Sequence, residues 1–126
     1  MFLRTRLWVV ISGLVDELVI VIDEYADIML GAKDTAHEFE NLIKRVAFTG
    51  RSRMIHLILS TQRPDKDTMP GSIKANIDAR AILRLPTAAD SITALGHGGA
   101  EKLLTHGDLL FKCGSGNPVR LQGYSL

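Results

Sequence analysis

Residues 18–27, LVIVIDEYAD, decide how this chain must fold. Five apolar residues, Leu18 to Ile22, end abruptly in Asp23 and Glu24. An unbroken apolar run of that length suits a strand buried on both faces, whose carboxyl end must then emerge into a polar place. In open α/β sheets ligands bind beyond the carboxyl ends of the strands, so the two acids stand where chemistry is usually done.

A short apolar strand ending in Asp-Glu is also the shape of a Walker B element. There the first acid holds Mg²⁺ through water, and the second orients the water that attacks a γ-phosphate. The bland alternative is an acidic turn that is simply wet.

The next segments bear on that choice. Ala36, Phe39, Leu42, Ile43, Val46 and Ala47 recur at helical spacing, with Glu40, Lys44 and Arg45 on the other face. Asp34 or Thr35 caps the start, Glu38 suits the first turn, and Gly50 marks the end. A second apolar run, Ile55 to Leu59, broken only by His56, reads as another buried strand. Strand, helix, strand in this order makes a right-handed crossover between parallel strands. Parallel neighbours end on the same side, so Ser60-Thr61-Gln62-Arg63-Pro64 emerges beside Asp23 and Glu24. A neutral amide such as Gln62 can donate to phosphate or accept from an attacking water without adding charge, as a γ-phosphate sensor does. Its alternative is a turn cap before Pro64.

Elsewhere the signals are local. Ala26 to Leu30 makes a short helical turn stopped by Gly31, and Asp65 to Gly71 is a polar loop edged by Pro64 and Pro70. Ser72 to Asn76 turns once, Ala79 to Leu85 is a third strand, and Thr87 caps a helix through Leu95. Gly96 to Gly99 breaks it, Gly99 to Leu104 is another short helix, and Leu109–Phe111 with Val119–Leu121 form a hairpin. Residues 1–17 fit neither period cleanly, and a short strand or helix is expected around Leu7 to Ile11.

A chain of 126 residues that is 46% apolar can bury a core, which argues against disorder. Asp16, Glu17, Asp23, Glu24 and Asp27 interrupt the apolar stretch from Leu7 to Leu30, so no membrane span or signal peptide is expected. The single cysteine, Cys113, has no internal partner, which fits a cytoplasmic setting. His37, His56, His97 and His106 lack metal-ligand spacing. The net charge of +1 hides an asymmetry: residues 1–43 carry three bases against eight acids, and residues 44–84 carry nine against three. A cationic middle suits a polyanion partner, and solvated helix and loop faces are the alternative.

IDEYADIM, HLILSTQRP, IKANIDARAILRL, DSITALGHGGAEKLLTHGDLLF and PVRLQGY follow one another in this chain. In that order the segments from Leu18 to Tyr124 resemble the carboxyl-terminal half of the motor domain of the FtsK/SpoIIIE family of bacterial DNA translocases. The resemblance implies an α/β fold: a partial RecA-like, P-loop NTPase three-layer core with a parallel sheet and a C-terminal β-hairpin. Residues 1–126 would be one partial motor domain, with 1–17 a poorly matching lead-in. Such motors assemble as hexameric rings around double-stranded DNA and pump it with ATP and Mg²⁺, in chromosome segregation and cell division or in DNA transfer. By resemblance Asp23 is the magnesium acid, Glu24 the general base or water-orienting acid, and Gln62 the sensor, with Arg63 also facing the nucleotide. The segment from Asp65 to Arg80 would face the central channel, with Lys66, Lys74, Asn76 and Arg80 contacting DNA phosphates. Those contacts would be salt-dependent and blind to sequence. Arg80 and Arg84 are alternatives for a charge offered in trans to a neighbour's nucleotide.

Besides that lead-in, the chain departs from the family in its phosphate-binding signature. It contains no Gly-x-x-x-x-Gly-Lys followed by Ser or Thr, and none of Lys33, Lys44, Lys66, Lys74, Lys102 or Lys112 follows a glycine. That loop cradles phosphates through backbone N–H groups and a fixed charge, so the chain alone is expected to bind ATP poorly and hydrolyse hardly any. Gly96-His97-Gly98-Gly99 lacks the lysine and the preceding strand, and reads as a break between helices. Neither a winged-helix domain nor a membrane anchor is expected in this segment, which reads as a truncated frame or a piece of a longer protein. Two competing readings stand beside the motor: a catalytically silent fragment or interaction module, and a conjugative-transfer coupling ATPase.

Overall fold

Strands β1 (Arg6–Ser12), β2 (Glu17–Asp23) and β3 (Ile55–Leu59) form the first sheet of the computed structural model, which describes residues 6–12, 17–31 and 33–124. β2 and β3 are parallel, in a register that sets Leu18 beside Ile55 and Ile22 beside Leu59. The crossover between them holds helices α1 (Tyr25–Gly31) and α2 (Lys33–Thr49). The strand, helix, strand order read from the sequence is therefore present, with the tips of β2 and β3 at one edge. The ambiguous lead-in resolves as a strand: β1 pairs antiparallel with β2, setting Arg6 beside Asp23.

Gly50 makes the turn from α2 into β3 possible. A Cβ there would lie 2.5 Å from the Val46 carbonyl oxygen and 2.8 Å from that of Ile55, so only glycine fits. Its N–H closes α2 on the Val46 carbonyl at 2.7 Å, and its own carbonyl accepts from Ile55 N–H at 2.9 Å. A short 3₁₀ turn, Arg51–Arg53, and a left-handed Met54 then deliver the chain to β3.

Burial on both faces, expected for β2 and β3, is not what the strands show. Only Ile22 of β2 is buried, while Glu17 to Val21 are half-buried. β3 alternates: Ile55, Leu57 and Leu59 are half-buried, and His56 and Ile58 are exposed. Trp8 and Val10 of β1, which share a face with Ile58, are exposed, and so are Leu7 and Val9 on the other face. The run is apolar enough to be covered on both faces, yet among the described residues most of it is only half-buried. The same unit includes residues 70–76, where α3 (Gly71–Lys74) buries Ile73 and hydrogen-bonds Ser72 Oγ to Glu40 of α2. Lys44 pairs with Glu40 at 2.7 Å one turn on. Together Lys44 and Ser72 hold the Glu40 carboxyl below the ordinary carboxylate range.

Residues 64–69 and 77–126 make a second unit. β4 (Ala79–Leu83), β5 (Asp108–Cys113) and β6 (Val119–Gln122) form an antiparallel sheet in that order. The third strand is present, but it joins the C-terminal hairpin instead of extending the parallel pair. Helix α4 (Ala88–Leu95) starts on Thr87, whose Oγ1 accepts from Asp90 N–H at 3.1 Å, and ends on Gly96 at φ 92°. Ile82, Ala94, Leu95, Ala100 and Leu103 form the core, with Leu85 and Leu110 against it. Buried Ser91 pins the glycine-rich break: its hydroxyl donates to the His97 carbonyl and accepts from Ala100 N–H at 2.9 Å.

Asp108 closes the hairpin. It accepts from Leu104 N–H at 2.7 Å and takes two hydrogen bonds from the Arg120 guanidinium, at 2.8 and 2.6 Å. The guanidinium first, then that N–H, holds its carboxyl down at about 2. A folded-state value below that of the unfolded chain gives stability that is present above about pH 4 and lost as pH falls toward about 2. Asp108→Asn is therefore expected to lower the melting temperature at neutral pH, by an amount that shrinks as pH falls through that window. Thermal melts across the acid range check this.

Candidate active site

Carried past its last pair, Ile22 with Leu59, the parallel register places Ser60 beside Asp23 and, two residues beyond the ladder, Thr61 beside Glu24. Backbone bonds hold the two exits together: Ser60 N–H donates to the Ile22 carbonyl, and Tyr25 N–H to the Ser60 carbonyl, both at 2.9 Å. Behind them Tyr25 and Ala26 are fully buried, so the start of α1 is a fixed support.

Glu24 adopts φ 52°, a left-handed conformation uncommon for a residue with a Cβ. Its carboxylate crosses to the end of β3. Oε1 accepts from the Thr61 hydroxyl at 2.7 Å, and Oε2 accepts from Gln62 N–H at 2.9 Å. Thr61 Oγ1 in turn accepts from Arg63 N–H at 3.1 Å.

Asp23 is the last residue of β2, half-buried, on the same face as Val19 and Val21. Gln62 and Arg63 are exposed. Asp23, Glu24, Gln62 and Arg63 thus lie on two adjacent strand exits, and the Gln62 backbone N–H is bonded directly to the Glu24 carboxylate. No group of three or more His, Cys, Asp or Glu that could cage a metal occurs among the described residues.

The residues expected to meet a polyanion are placed in both units. Lys74 ends α3, half-buried, and Asn76 follows it, its side-chain amide donating to the Ser72 carbonyl at 2.8 Å. In the second unit Lys66 is exposed, in a turn organised by Asp65, whose Oδ1 accepts from the N–H groups of Asp67 and Thr68. Arg80 is half-buried on β4, and its guanidinium donates to the Ala94 carbonyl at 3.3 Å, near the end of α4. Lys112 does the same to the Leu95 carbonyl. Two cations at a helix C-terminus complement its dipole, which gives Arg80 an internal task.

Thr61 escaped the sequence reading. The available signal was the register: a parallel partner strand puts a hydroxyl opposite the second acid. Helices long and apolar enough to cross a membrane are absent among the described residues.

Residues 12–66 match the model of the FtsK/SpoIIIE family. The chain is 47% identical over 107 residues to a DNA translocase FtsK of Oceanobacillus iheyensis and 46% identical to that of Pseudomonas aeruginosa, each match covering 84% of this chain and 13% of the relative. It is 48% identical to the DNA translocase SftA of Bacillus subtilis, over 84% of this chain and 11% of that protein. The chain thus spans roughly an eighth of the length of these relatives. Among solved structures it resembles the conjugation coupling protein TcpA in its monomer form with ATPγS, with TM-score 0.78 and 28% identity over 88% of this chain and 33% of that one. It also resembles the cytoplasmic domain of the type VII secretion ATPase EccC of Thermomonospora curvata, with TM-score 0.71 and 27% identity over 82% of this chain and 12% of that one. The fold is α/β, a partial RecA-like core, and the chain belongs to the FtsK/SpoIIIE family.

Proposed function

We propose that this chain is the acid-bearing, Walker B half of an ATP-driven motor that moves double-stranded DNA, its two units being parts of one motor domain. The observation that carries the reading is the Glu24 carboxylate seated on the end of the neighbouring parallel strand, beside Gln62. Asp23 suits Mg²⁺ by chemistry: a hard cation that keeps several waters needs one or two carboxylates and phosphate oxygens, not a cage. Bound with Mg²⁺, ATP would supply the γ-phosphoryl group to be transferred to water. Toward it Asp23 would hold the hydrated metal, Glu24 would orient and deprotonate the attacking water, and Gln62 and Arg63 would contact the phosphate. The site is partial, because the phosphate-cradling loop is not in this sequence.

Lys66, Lys74, Asn76 and Arg80 are the phosphate contacts proposed for duplex DNA, Asn76 and Arg80 also making bonds to the Ser72 and Ala94 carbonyls. Assembly into a hexameric ring belongs to the same proposal. Duplex binding by the chain is expected to be weak, to fall steeply as salt rises, and to lose about one from its log–log salt slope in Lys74→Ala. Binding indifferent to salt and to Lys74 removes the DNA role.

A conjugative-coupling reading draws on the likeness to TcpA. The identity of 46–48% to translocases, against 28% to the coupling protein, favours the translocase.

A further inference from the structure

The Glu24 carboxylate is the anchor for three successive residues of the strand exit opposite it. Its Oε1 takes the Thr61 hydroxyl proton, its Oε2 takes Gln62 N–H, and Thr61 Oγ1 takes Arg63 N–H. The direction of this chain is forced. Arg63 N–H can only donate, so Thr61 Oγ1 accepts there and its one proton is left for Glu24. Bonds to an ionised acceptor are the strong ones, and linked bonds polarise one another. The turn that presents the Gln62 amide and the Arg63 guanidinium is therefore folded onto the charge of Glu24.

We infer that Thr61 is the positioning residue of this site: it fixes the Glu24 carboxylate and relays that carboxylate's charge to the turn carrying Gln62 and Arg63. The inference deepens the reading of Glu24 given above and rests on it for its meaning in turnover. Thr61 touches no reacting atom in this role. It makes the acid and the phosphate-facing turn one unit, so that a shift of either is felt by the other. Without the hydroxyl, Glu24 keeps Gln62 N–H, and the bonds that Thr61 Oγ1 makes to Glu24 and to Arg63 N–H are lost.

The test reads hydrogen exchange at the backbone amides of the whole chain by NMR, at one neutral pH and without nucleotide. Thr61→Val should lose protection at Arg63 while Gln62 keeps its own, Glu24→Gln should lose protection at both, and Thr61→Ser should restore Arg63. An Arg63 amide as protected in Thr61→Val as in the wild type overturns the relay, as does one unmoved by Glu24→Gln. Should Thr61→Val fail to fold, Thr61→Ala reads the same loss of the hydroxyl. The readout needs no ATP, so it stands or falls apart from the turnover of Glu24 variants.

Discussion

Glu24→Gln, in this chain completed with a phosphate-cradling segment, is expected to retain nucleotide and lose turnover by about 10²–10⁴-fold, the usual worth of a general base. The exchange keeps the side chain's shape and one acceptor oxygen, so the exits of β2 and β3 stay together. What it removes is the negative charge that takes a proton from water. An amide also presents N–H to one of the two donors now facing the carboxylate, Thr61 or Gln62. That mispairing costs some local order but leaves the buried support of Tyr25 and Ala26 intact. Nucleotide affinity near that of the unaltered motor, with turnover reduced, assigns Glu24 to the chemical step. Unchanged turnover removes it from catalysis.

Leu95→Ala is expected to cost the second unit about 2–5 kcal/mol, the range for truncating a buried leucine. Leu95 is 1% exposed, at the end of α4, packed with Ile82, Ala94, Ala100 and Leu103. Its neighbours cannot easily collapse into the gap. Ser91 ties the break after α4 to Ala100, and Arg80 and Lys112 bind the last carbonyls of α4. Against a typical domain stability of about 5–15 kcal/mol, such a loss shifts much of the population toward unfolding. Denaturant unfolding followed separately in the two units checks it: the transition of β4 to β6 should move to lower denaturant. An unmoved midpoint for those strands would show that the cluster is not their core.

Where signals were local, the sequence was legible. The β2 run with its acids, the stripe of α2, the Thr87 cap and the hairpin each depend on neighbours a few residues away, and each stands where it was expected. What depended on distant partners was not legible. Nothing in ARAIL says that β4 pairs with β5 antiparallel, because that choice is made by Asp108 to Cys113, roughly thirty residues on. The incomplete burial of β2 and β3 was likewise hidden, since an apolar run reports what a strand could bury and not what covers it. The Asp108–Arg120 pair is diagonal across two strands, where Leu110 faces Arg120 and Asp108 faces Gln122. At the site, Asp23, Glu24 and Gln62 were legible from two strand ends. Thr61 was not, because its part appears only when the register is counted two residues beyond the ladder.

ATP turnover with and without duplex DNA tests most directly whether these strand exits belong to a motor. It should be measured on the chain alone and on the chain joined to a Gly-x-x-x-x-Gly-Lys-Ser/Thr segment from one of its relatives. The expected result is background turnover from the chain alone and DNA-stimulated turnover from the joined protein. Robust turnover from the chain alone, or none from a folded, nucleotide-bound joined protein, would contradict it.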